Sequence, residues 1–301
     1  MAKALLATGK HHITAISRAE SVATFAEGIT RRNVDYADHE SIVSALSGQD
    51  FLIISLSVVA GDTQSKLIAA AKDAGVKWVM PNEYGGDYAG NREFGNDTYL
   101  GPRALAARKA IEDAGMSFVA LSCSFWYEFS LSGTAARYGF DFAKREVTFY
   151  DDGERKITTT TWPQVGRAVA ALLSLPVLPL NEQDSQLTLS KFRNRSAFVG
   201  SFYVSQKDMF ASVLCVTKTK ESDWKIDYEG AEARFKRGGE LMSQGNMMGF
   251  GILLYARGFY KEGEAADLQK LLQNEELGLP KEDFDEATAV AVEMAKTPAL
   301  Y

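Results

Sequence analysis

Residues 51–86 read FLIISLSVVAGDTQSKLIAAAKDAGVKWVMPNEYGG, and this segment gives the clearest indication of the fold class. It begins with a continuous apolar run at 51–57, which is typical of a strand buried on both faces. An amphipathic segment at 63–74 follows, and Gly75 then supplies a common helix terminator. A second apolar run, 76–80, is closed by Pro81. The order strand, helix, strand indicates a βαβ unit with parallel strands.

The same alternation continues on both sides of this unit. It predicts strands at 12–17, 29–34 and 117–122, and helices at 2–8, 39–46 (capped by Asp38) and 102–114. Strands separated by helices of this length indicate an α/β fold with a Rossmann-like, doubly wound parallel sheet. In such a sheet, ligands bind at the carboxyl ends of the strands.

The second half of the chain predicts a smaller α+β lobe. Residues 146–150 and 156–161 flank the turn at Asp151-Asp152-Gly153 and predict a β-hairpin. A helix is predicted at 162–175, a strand at 197–204 and a helix at 206–216. We therefore predict a first domain at 1–125 and a smaller lobe at 126–301, interleaved with the first and closing a cleft.

Composition excludes several classes of protein. The chain has 301 residues and a formal net charge of −6, which excludes a generally basic protein that coats nucleic acid. Its two cysteines are too few for a disulfide framework, and no Cys/His cluster has zinc spacing, so we expect no metal. The N-terminus does not resemble a signal peptide, and no apolar run reaches the roughly 18 residues of a membrane span. We expect a cytoplasmic protein with no membrane or nucleic-acid partner.

Polar residues stand at the ends of the first two predicted strands. In a Rossmann sheet the strand after the first helix ends at the adenosine ribose, where an arginine accommodates the 2′-phosphate of NADP. Ser17 and Arg18 occupy that point and favour NADP, the alternative being a solvated surface arginine. At the next strand end, Asp35 and Tyr36 are expected beside the adenine ring, or Asp35 serves only as a helix cap.

The next two strand ends offer candidates for the nicotinamide half of the cofactor. These are Ser55, Leu56, Ser57, Pro81, Asn82, Glu83 and Tyr84. The small residues at 55–57 would let a ribose and a nicotinamide approach the backbone, although an ordinary strand end has the same composition. Residues 81–84 precede the paired glycines at 85–86, which allow a tight loop, and we interpret this polar loop as functional.

Two further pairs are candidates for catalysis and for substrate binding. Tyr99 and Arg103 are four residues apart and would face one side of a helix start, as in the Tyr-x-x-x-Lys pair of short-chain reductases. An arginine stays charged and cannot donate the proton, and a surface pair is the alternative. Trp126 and Tyr127 follow the strand at 117–122 and suit a flat apolar substrate, or they pack between the lobes.

One element of a dinucleotide-binding domain is missing from the pattern. Such a domain opens with a strand, a G-x-x-G-x-x-G turn and a helix, whereas this sequence opens inside the expected helix. The missing strand is normally central, so we expect a gap in the sheet. Either the chain is truncated, or another segment repairs the region.

Several segments together carry a resemblance to a known family. They read HHITAISRAES, VDYADHESIVSAL, QDFLIISLS, VKWVMPNEYGGD, ALSCSFWYEFSLSG and GFDFAKREVTFYDDGERKITTTTWPQVGRAVA. This ordered set resembles the fungal NmrA-like and isoflavone-reductase-like proteins, and within them the CipA-like subgroup. The family is an atypical group of short-chain dehydrogenases/reductases with a Rossmann domain and a smaller C-terminal lobe.

The resemblance implies roles for three places in the chain. Arg18 matches the position that selects NADP in the reductase members. Residues 81–85 resemble the Pro-Ser-Glu-Phe-Gly loop that lies along the nicotinamide. The reductases use a lysine near the start of the following helix, where this chain reads Gly101-Pro102-Arg103-Ala104. Arg103 thus takes the place of that lysine, or the lysine has no counterpart.

The sequence therefore predicts an NADP-dependent oxidoreductase that reduces an aromatic or other secondary-metabolite substrate. Two alternatives remain open. One is a non-catalytic NAD(P) sensor that binds a protein partner, which resembles the role of NmrA itself. The other is a truncated, inactive form.

Overall fold

The computed structural model describes residues 1–57, 60–261 and 265–297. The first part of the chain contains α1 (Ala2–Ala7), β1 (Ile13–Ser17), β2 (Ile29–Asn33), α2 (His39–Leu46), β3 (Phe51–Ile53), α3 (Thr63–Asp73), β4 (Trp78–Met80), α4 (Arg92–Asp97), α5 (Gly101–Asp113) and β5 (Ser117–Ser122). The remainder contains β6 (Phe125–Trp126), α6 (Tyr127–Leu131), β7 (Phe140–Asp141), β8 (Glu146–Tyr150), β9 (Ile157–Thr160), α7 (Trp162–Leu173), β10 (Arg195–Phe198), β11 (Phe202–Val204), α8 (Gln206–Thr217), β12 (Lys225–Glu229), α9 (Ala231–Ser243), α10 (Met248–Gly258) and α11 (Phe284–Met294).

A four-stranded parallel sheet forms the centre of the first lobe, in the order β10-β5-β4-β3. The predicted βαβ unit is confirmed, with Leu52 of β3 opposite Val79 of β4. The ladder of β3 ends at Ile53, so this strand is shorter than the apolar run at 51–57. Strand β10 comes from the second half of the chain and pairs in parallel with β5 from the first half.

Helices cover both faces of the sheet, as in a doubly wound fold. Residues that alternate along β5 face opposite sides, because side chains alternate along a strand. Phe118 and Ala120 join a buried core with α2, α3 and α5, which we call the α2–α3–α5 core. Val119 and Leu121 join a second buried core with α1 and α7, which we call the α1–α7 core.

The first two strands form a separate parallel pair, in which Ser17 lies opposite Asn33. In the described ranges no backbone ladder connects this pair to β3, so the gap expected from the sequence is present. Helix α1 packs against α7, with Ala4 close to Gly166. Ile16 of β1 packs on the α2–α3–α5 core and keeps the pair against the rest of the lobe.

Two of the predictions for the second lobe are wrong. Strands β8 and β9 do not form the predicted hairpin: β8 pairs with β7 and β12, whereas β9 pairs with β6 and β11. The predicted strand at 197–204 is two strands, because the chain turns at Gly200, where an added Cβ would lie 2.6 Å from Thr158 Cγ2. An aromatic core that includes Tyr127, Tyr138 and Phe140 holds this lobe together.

Candidate functional site

The predicted strand-end residues fall into two groups at the carboxyl ends of parallel strands. One group follows β1 and β2, and the other follows β3 and β4. Tyr36 of the first group and Leu56 of the second both pack against the α2–α3–α5 core. The two groups therefore share one supporting core, although the strand pairs are not hydrogen-bonded to each other.

Arg18 and Tyr36 are neighbours at the end of the β1–β2 pair. Burial raises the pKa of Tyr36, and the nearby Arg18 guanidinium lowers that pKa by a smaller amount. The Arg18 side chain is 70% exposed and its ion pair with Glu20 is loose, at 3.5 Å. An exposed pair of this kind contributes little to stability, so the guanidinium is available to bind an anion. Ser17, beside it, has a buried hydroxyl with no partner among the described residues.

The two aspartates after β2 have separate structural roles. Asp38 caps α2 as predicted, because its side chain accepts from the backbone N of Glu40 at 3.1 Å. Asp35 accepts from the backbone N of Ala37 at 2.8 Å, which fixes its carboxylate in a local turn. Asp35 is exposed, and its predicted place beside an adenine ring stays a prediction.

Asn82 connects the chain segments that follow β3 and β4. Its side-chain Oδ1 accepts from Leu56 N at 3.1 Å, and its Nδ2 donates to Leu56 O at 3.0 Å. Gln64 of α3 adds a third contact by accepting from Asn82 N at 2.8 Å. The predicted residues Leu56 and Asn82 are thus in direct contact, whereas Ser55 and Ser57 are exposed on either side of Leu56.

Glu83, the next residue in the loop, is held in a buried ion pair. Both of its carboxylate oxygens accept from Arg108 of α5, at 2.8–3.1 Å, and Arg108 also donates to Ser196 of β10 at 2.9 Å. Burial raises the pKa of Glu83, and Arg108 opposes that rise. These contacts fix the carboxylate within its loop, and the predicted contact of Glu83 with a cofactor stays a prediction. Pro81 is also buried, at the end of β4.

Tyr84 lies deeper than the rest of the loop, in the α1–α7 core. Its ring is 9% exposed, and its hydroxyl has no hydrogen-bond partner among the described residues. The following Gly85 accepts from the backbone N of both Cys123 and Ser124 at 2.9 Å, which fixes the loop to the end of β5. Burial raises the pKa of the Cys123 thiol to about 12, so this thiol is not a nucleophile at neutral pH.

Tyr99 and Arg103 do not form the arrangement that the sequence predicts. Tyr99 precedes α5 in a left-handed conformation with φ 60°, and its side chain is 58% exposed. Arg103 is exposed on α5, while Ala104 is buried. In the part of the chain that the structure describes, neither side chain forms a hydrogen bond or an ion pair. We therefore assign neither a catalytic role from its contacts.

The two substrate candidates have different environments. Tyr127 is fully buried, its ring packs against Phe202 and Phe284, and its hydroxyl lies 2.6 Å from Thr288 Oγ1. This is the packing alternative, and it removes Tyr127 from the candidate site. Trp126 is half-buried, with ring centroids 5.7 Å from Phe129 and 6.2 Å from Trp162, and it keeps its candidate role.

Three residues of the site were missed from the sequence: Gln64, Arg108 and Ser124. Arg108 carried a usable signal, since it lies within the buried stripe Ala104, Ala107 and Ile111 of α5. A cation at helical spacing inside an apolar stripe indicates a buried partner. Gln64 carried no such signal, because its side chain contacts a backbone atom of a distant segment. Ser124 carried none either, because its hydroxyl has no hydrogen-bond partner among the described residues.

No described helix is long and apolar enough to cross a membrane. Within the same residues, no group of three or more His, Cys, Asp or Glu side chains is arranged to hold a metal ion.

Comparisons with known proteins extend this picture. Residues 1–125 match a family model described as NAD(P)H-binding. The oxidoreductase aprR of Aspergillus flavus is 27% identical over 289 residues, which cover 92% of this chain and 89% of that relative. Another fungal oxidoreductase, poxI of Penicillium oxalicum, is 26% identical over 299 residues. This match covers 97% of this chain and 89% of that relative.

Solved structures show the same fold. A crystal structure of isoflavone reductase superposes with a TM-score of 0.69 at 19% identity, covering 95% of this chain and 92% of the other. The fold is thus that of the isoflavone reductases, and the two fungal oxidoreductases match over nearly the whole chain. The first lobe also matches the NAD(P)H-binding family model, so the fold of the chain and the match over its first 125 residues agree.

Proposed function

We propose that this protein is an NADP-dependent reductase that transfers a hydride from the nicotinamide to an aromatic or other secondary-metabolite substrate. The family model over residues 1–125 and the two fungal relatives described as oxidoreductases support this assignment. So does a structure described as AtPrR2 with NADP+ and pinoresinol, which superposes with a TM-score of 0.67 at 19% identity and covers 96% of this chain and 93% of the other.

The position of the exposed Arg18 at the end of β1, close enough to Tyr36 to lower its pKa, is the observation that carries the choice of cofactor. Both lie at the edge where the β1–β2 pair ends, which is the ribose position of a Rossmann sheet. Arg18 is exposed, and a guanidinium binds a phosphate with two parallel hydrogen bonds. The free hydroxyl of Ser17 adds a donor at the same point. These residues fit the 2′-phosphate and ribose of NADP.

The loop of residues 81–86 would hold the nicotinamide half. Its geometry is fixed by the contacts of Asn82 with Leu56, of Glu83 with Arg108, and of Gly85 with the end of β5. Because the loop is fixed at three points, it does not need to become ordered when the nicotinamide ring binds. This reduces the conformational entropy that the protein loses on binding. When bound, NADPH supplies the hydride.

Trp126 is the remaining candidate for contact with an aromatic substrate. Its ring packs with those of Phe129 and of Trp162, the first residue of α7, in an aromatic cluster. Trp162 is 42% exposed, so the cluster reaches the surface. Aromatic rings pair favourably with other rings in stacked or edge-to-face contacts, and this supports an aromatic substrate.

The test is NADPH consumption by the full-length protein with a panel of quinones and aromatic ketones and aldehydes. We expect oxidation of NADPH with at least one aromatic acceptor, and its loss when Arg18 is replaced by alanine at limiting cofactor. NADPH that binds without any turnover across the panel would instead favour the regulatory alternative, a sensor that binds a protein partner. No binding by a folded chain would contradict both.

A further inference from the structure

A buried arginine of the second lobe reaches the short helix that follows the loop of residues 81–86. Arg257 of α10 is 1% exposed. Its Nε donates to Asp97 Oδ2 at 2.6 Å, and its Nη2 donates to Glu93 Oε1 at 2.8 Å. Both carboxylates belong to α4, which has only six residues. A single side chain therefore connects α10 to both ends of α4.

Helix α4 packs directly on the two glycines of this loop. A Cβ added to Gly86 would lie 2.5 Å from Phe94 Cε1, so the Phe94 ring covers Gly86. The ring of Tyr88 lies beside it, with the two centroids 5.2 Å apart, and a Cβ added to Gly85 would lie 2.6 Å from the Tyr88 hydroxyl oxygen. Because close-packed groups leave no free space, a movement of α4 must also move the loop.

The same turn of α10 also contacts the segment that carries Trp126, the candidate for substrate contact. The ring of Tyr255 stacks on that of Phe125, the neighbour of Trp126, with the centroids 4.5 Å apart. Gly258 approaches the same ring so closely that an added Cβ would lie 2.5 Å from Phe125 Cε2. One helical turn, 255–258, therefore contacts both the support of the nicotinamide loop and the segment of the aromatic cluster.

Stability alone gives little reason for an arginine at this position. The Nη1 of Arg257 is buried and has no hydrogen-bond partner among the described residues. A buried N–H without an acceptor costs free energy, and a buried ion pair is often no more stabilising than apolar side chains of similar volume. The guanidinium also lies over the ring of Tyr260, 4.7 Å from its centroid, and this contact offsets only part of the cost.

We propose that Arg257 is a positioning residue, which holds α4, and through Phe94 the loop of residues 81–86, in the place where the nicotinamide binds. This inference rests on the proposed reductase function and names the residue through which the second lobe acts on the cofactor site. Arg257 acts through α4 and does not itself contact the cofactor. The adenosine half, which we assign to Arg18 at the other pair of strands, should not depend on Arg257.

The test compares the two halves of the cofactor by calorimetric titration of the full-length protein, well below the melting temperature of each variant. The ligands are NADPH and adenosine 2′,5′-bisphosphate, which carries the 2′-phosphate but no nicotinamide. Arg257→Met removes the guanidinium and keeps an unbranched apolar side chain. We expect this variant to bind NADPH about tenfold more weakly and to bind the bisphosphate as well as wild type does. Equal weakening for both ligands would overturn the proposal.

Arg234→Met is the matched control for a general loss of stability. Arg234 of α9 is 3% exposed, donates to Glu229 at 2.6 Å and also has a buried N–H without a partner among the described residues. Its other contacts are with Ala135 O and the ring of Tyr150, both in the second lobe. We expect this variant to melt at a lower temperature than wild type, with both affinities unchanged. A loss of NADPH affinity equal to that of Arg257→Met would overturn the proposal.

A second variant tests the same connection from the side of α4. Asp97→Ala removes one acceptor and leaves Glu93 as the counter-charge of Arg257, so it provides the comparison even if Arg257→Met does not fold. It should weaken NADPH binding alone, by less than Arg257→Met does. NADPH affinity equal to that of wild type in the folded variants would overturn this inference and leave the proposed function intact. A folded wild type that binds neither ligand would instead contradict the proposed function, and this inference with it.

Discussion

The side chain of Asn82 pairs with the backbone of Leu56 in both directions, accepting from its N at 3.1 Å and donating to its O at 3.0 Å. The amide thereby extends the connection between the two strands beyond the backbone hydrogen bond from Ile54 N to Met80 O at 2.9 Å. It holds the loop of residues 81–86 against the segment after β3. This one residue therefore fixes the spacing of the two strand ends that we assign to the nicotinamide.

Replacing Asn82 is expected to disturb this spacing. Asn82→Ala removes two hydrogen bonds and should lower the free energy of unfolding by about 1–3 kcal/mol. Asn82→Asp should be more harmful, because a carboxylate cannot donate to Leu56 O. Chemical denaturation and NADPH titration of both variants check this. Equal stability and cofactor affinity in wild type and Asn82→Asp would contradict the assignment.

The ion pair of Glu83 with Arg108 leads to a prediction about stability. Arg108→Met leaves a buried carboxylate without a counter-charge and should lower the free energy of unfolding by about 3–5 kcal/mol at neutral pH. Lys109→Met is the matched control, because Lys109 is exposed one residue further along α5. Denaturation of the two variants provides the comparison, and similar losses would exclude a special role for the Arg108 pair.

The same variant should show a stronger dependence of stability on pH than wild type, with the same sign. Removing Arg108 raises the pKa of Glu83 further above the ordinary value of 4.5, so in the window between the two values the folded state binds more protons than the unfolded chain. The stability of Arg108→Met should thus fall as the pH rises through this window and recover as the pH falls. Adding Glu83→Gln removes the titrating group, and a double variant that keeps the full pH dependence would contradict this explanation.

Arg18 should decide between the two nicotinamide dinucleotides. A hydrogen bond to a charged group contributes about 1.5–3 kcal/mol, so Arg18→Ala should weaken NADPH binding by about tenfold to a hundredfold. NADH binding should not change, since NADH has no 2′-phosphate. Lys109→Ala controls for the loss of one positive charge, and calorimetry measures all the affinities. An equal effect on both dinucleotides would show that Arg18 does not face the 2′-phosphate.

We predict that residues 1–125 depend on the second half of the chain for a stable fold. A fragment of residues 1–125 lacks β10, which pairs with β5, and α7, which packs on α1. The buried residues Val119 and Leu121 would lose much of their cover. We expect this fragment to show no cooperative thermal transition, whereas the full chain does. A cooperative transition in the fragment would support an autonomous domain at 1–125.

Local signals in the sequence located most elements of the first lobe. Apolar runs and glycine terminators predicted β4 and α3 within a few residues, and Asp38 capped α2 as expected. Pairing in the second lobe was not predictable in this way. Residues 146–161 look like a hairpin locally, but Tyr150 of β8 lies opposite Glu229 of β12, a partner nearly eighty residues away. Local pattern carries no information about such distant partners.

The candidate site was predicted in part. The strand-end rule identified Arg18, Leu56 and Asn82, because it depends only on where strands end. It could not distinguish Tyr127, which is buried, from Trp126, which reaches the surface, since both follow β5. Whether a side chain faces a core or a cleft depends on segments far away in the chain, here Phe202 and Phe284.

A calorimetric titration of the full-length protein with NADPH and, in parallel, with NADH tests the assignment of NADP without the need for a substrate. Binding of NADPH in the micromolar range, with NADH at least about tenfold weaker, is the result predicted from the 2′-phosphate contact of Arg18. A folded protein that binds neither dinucleotide, or that binds both equally, would contradict the assignment of this strand-end site to NADP.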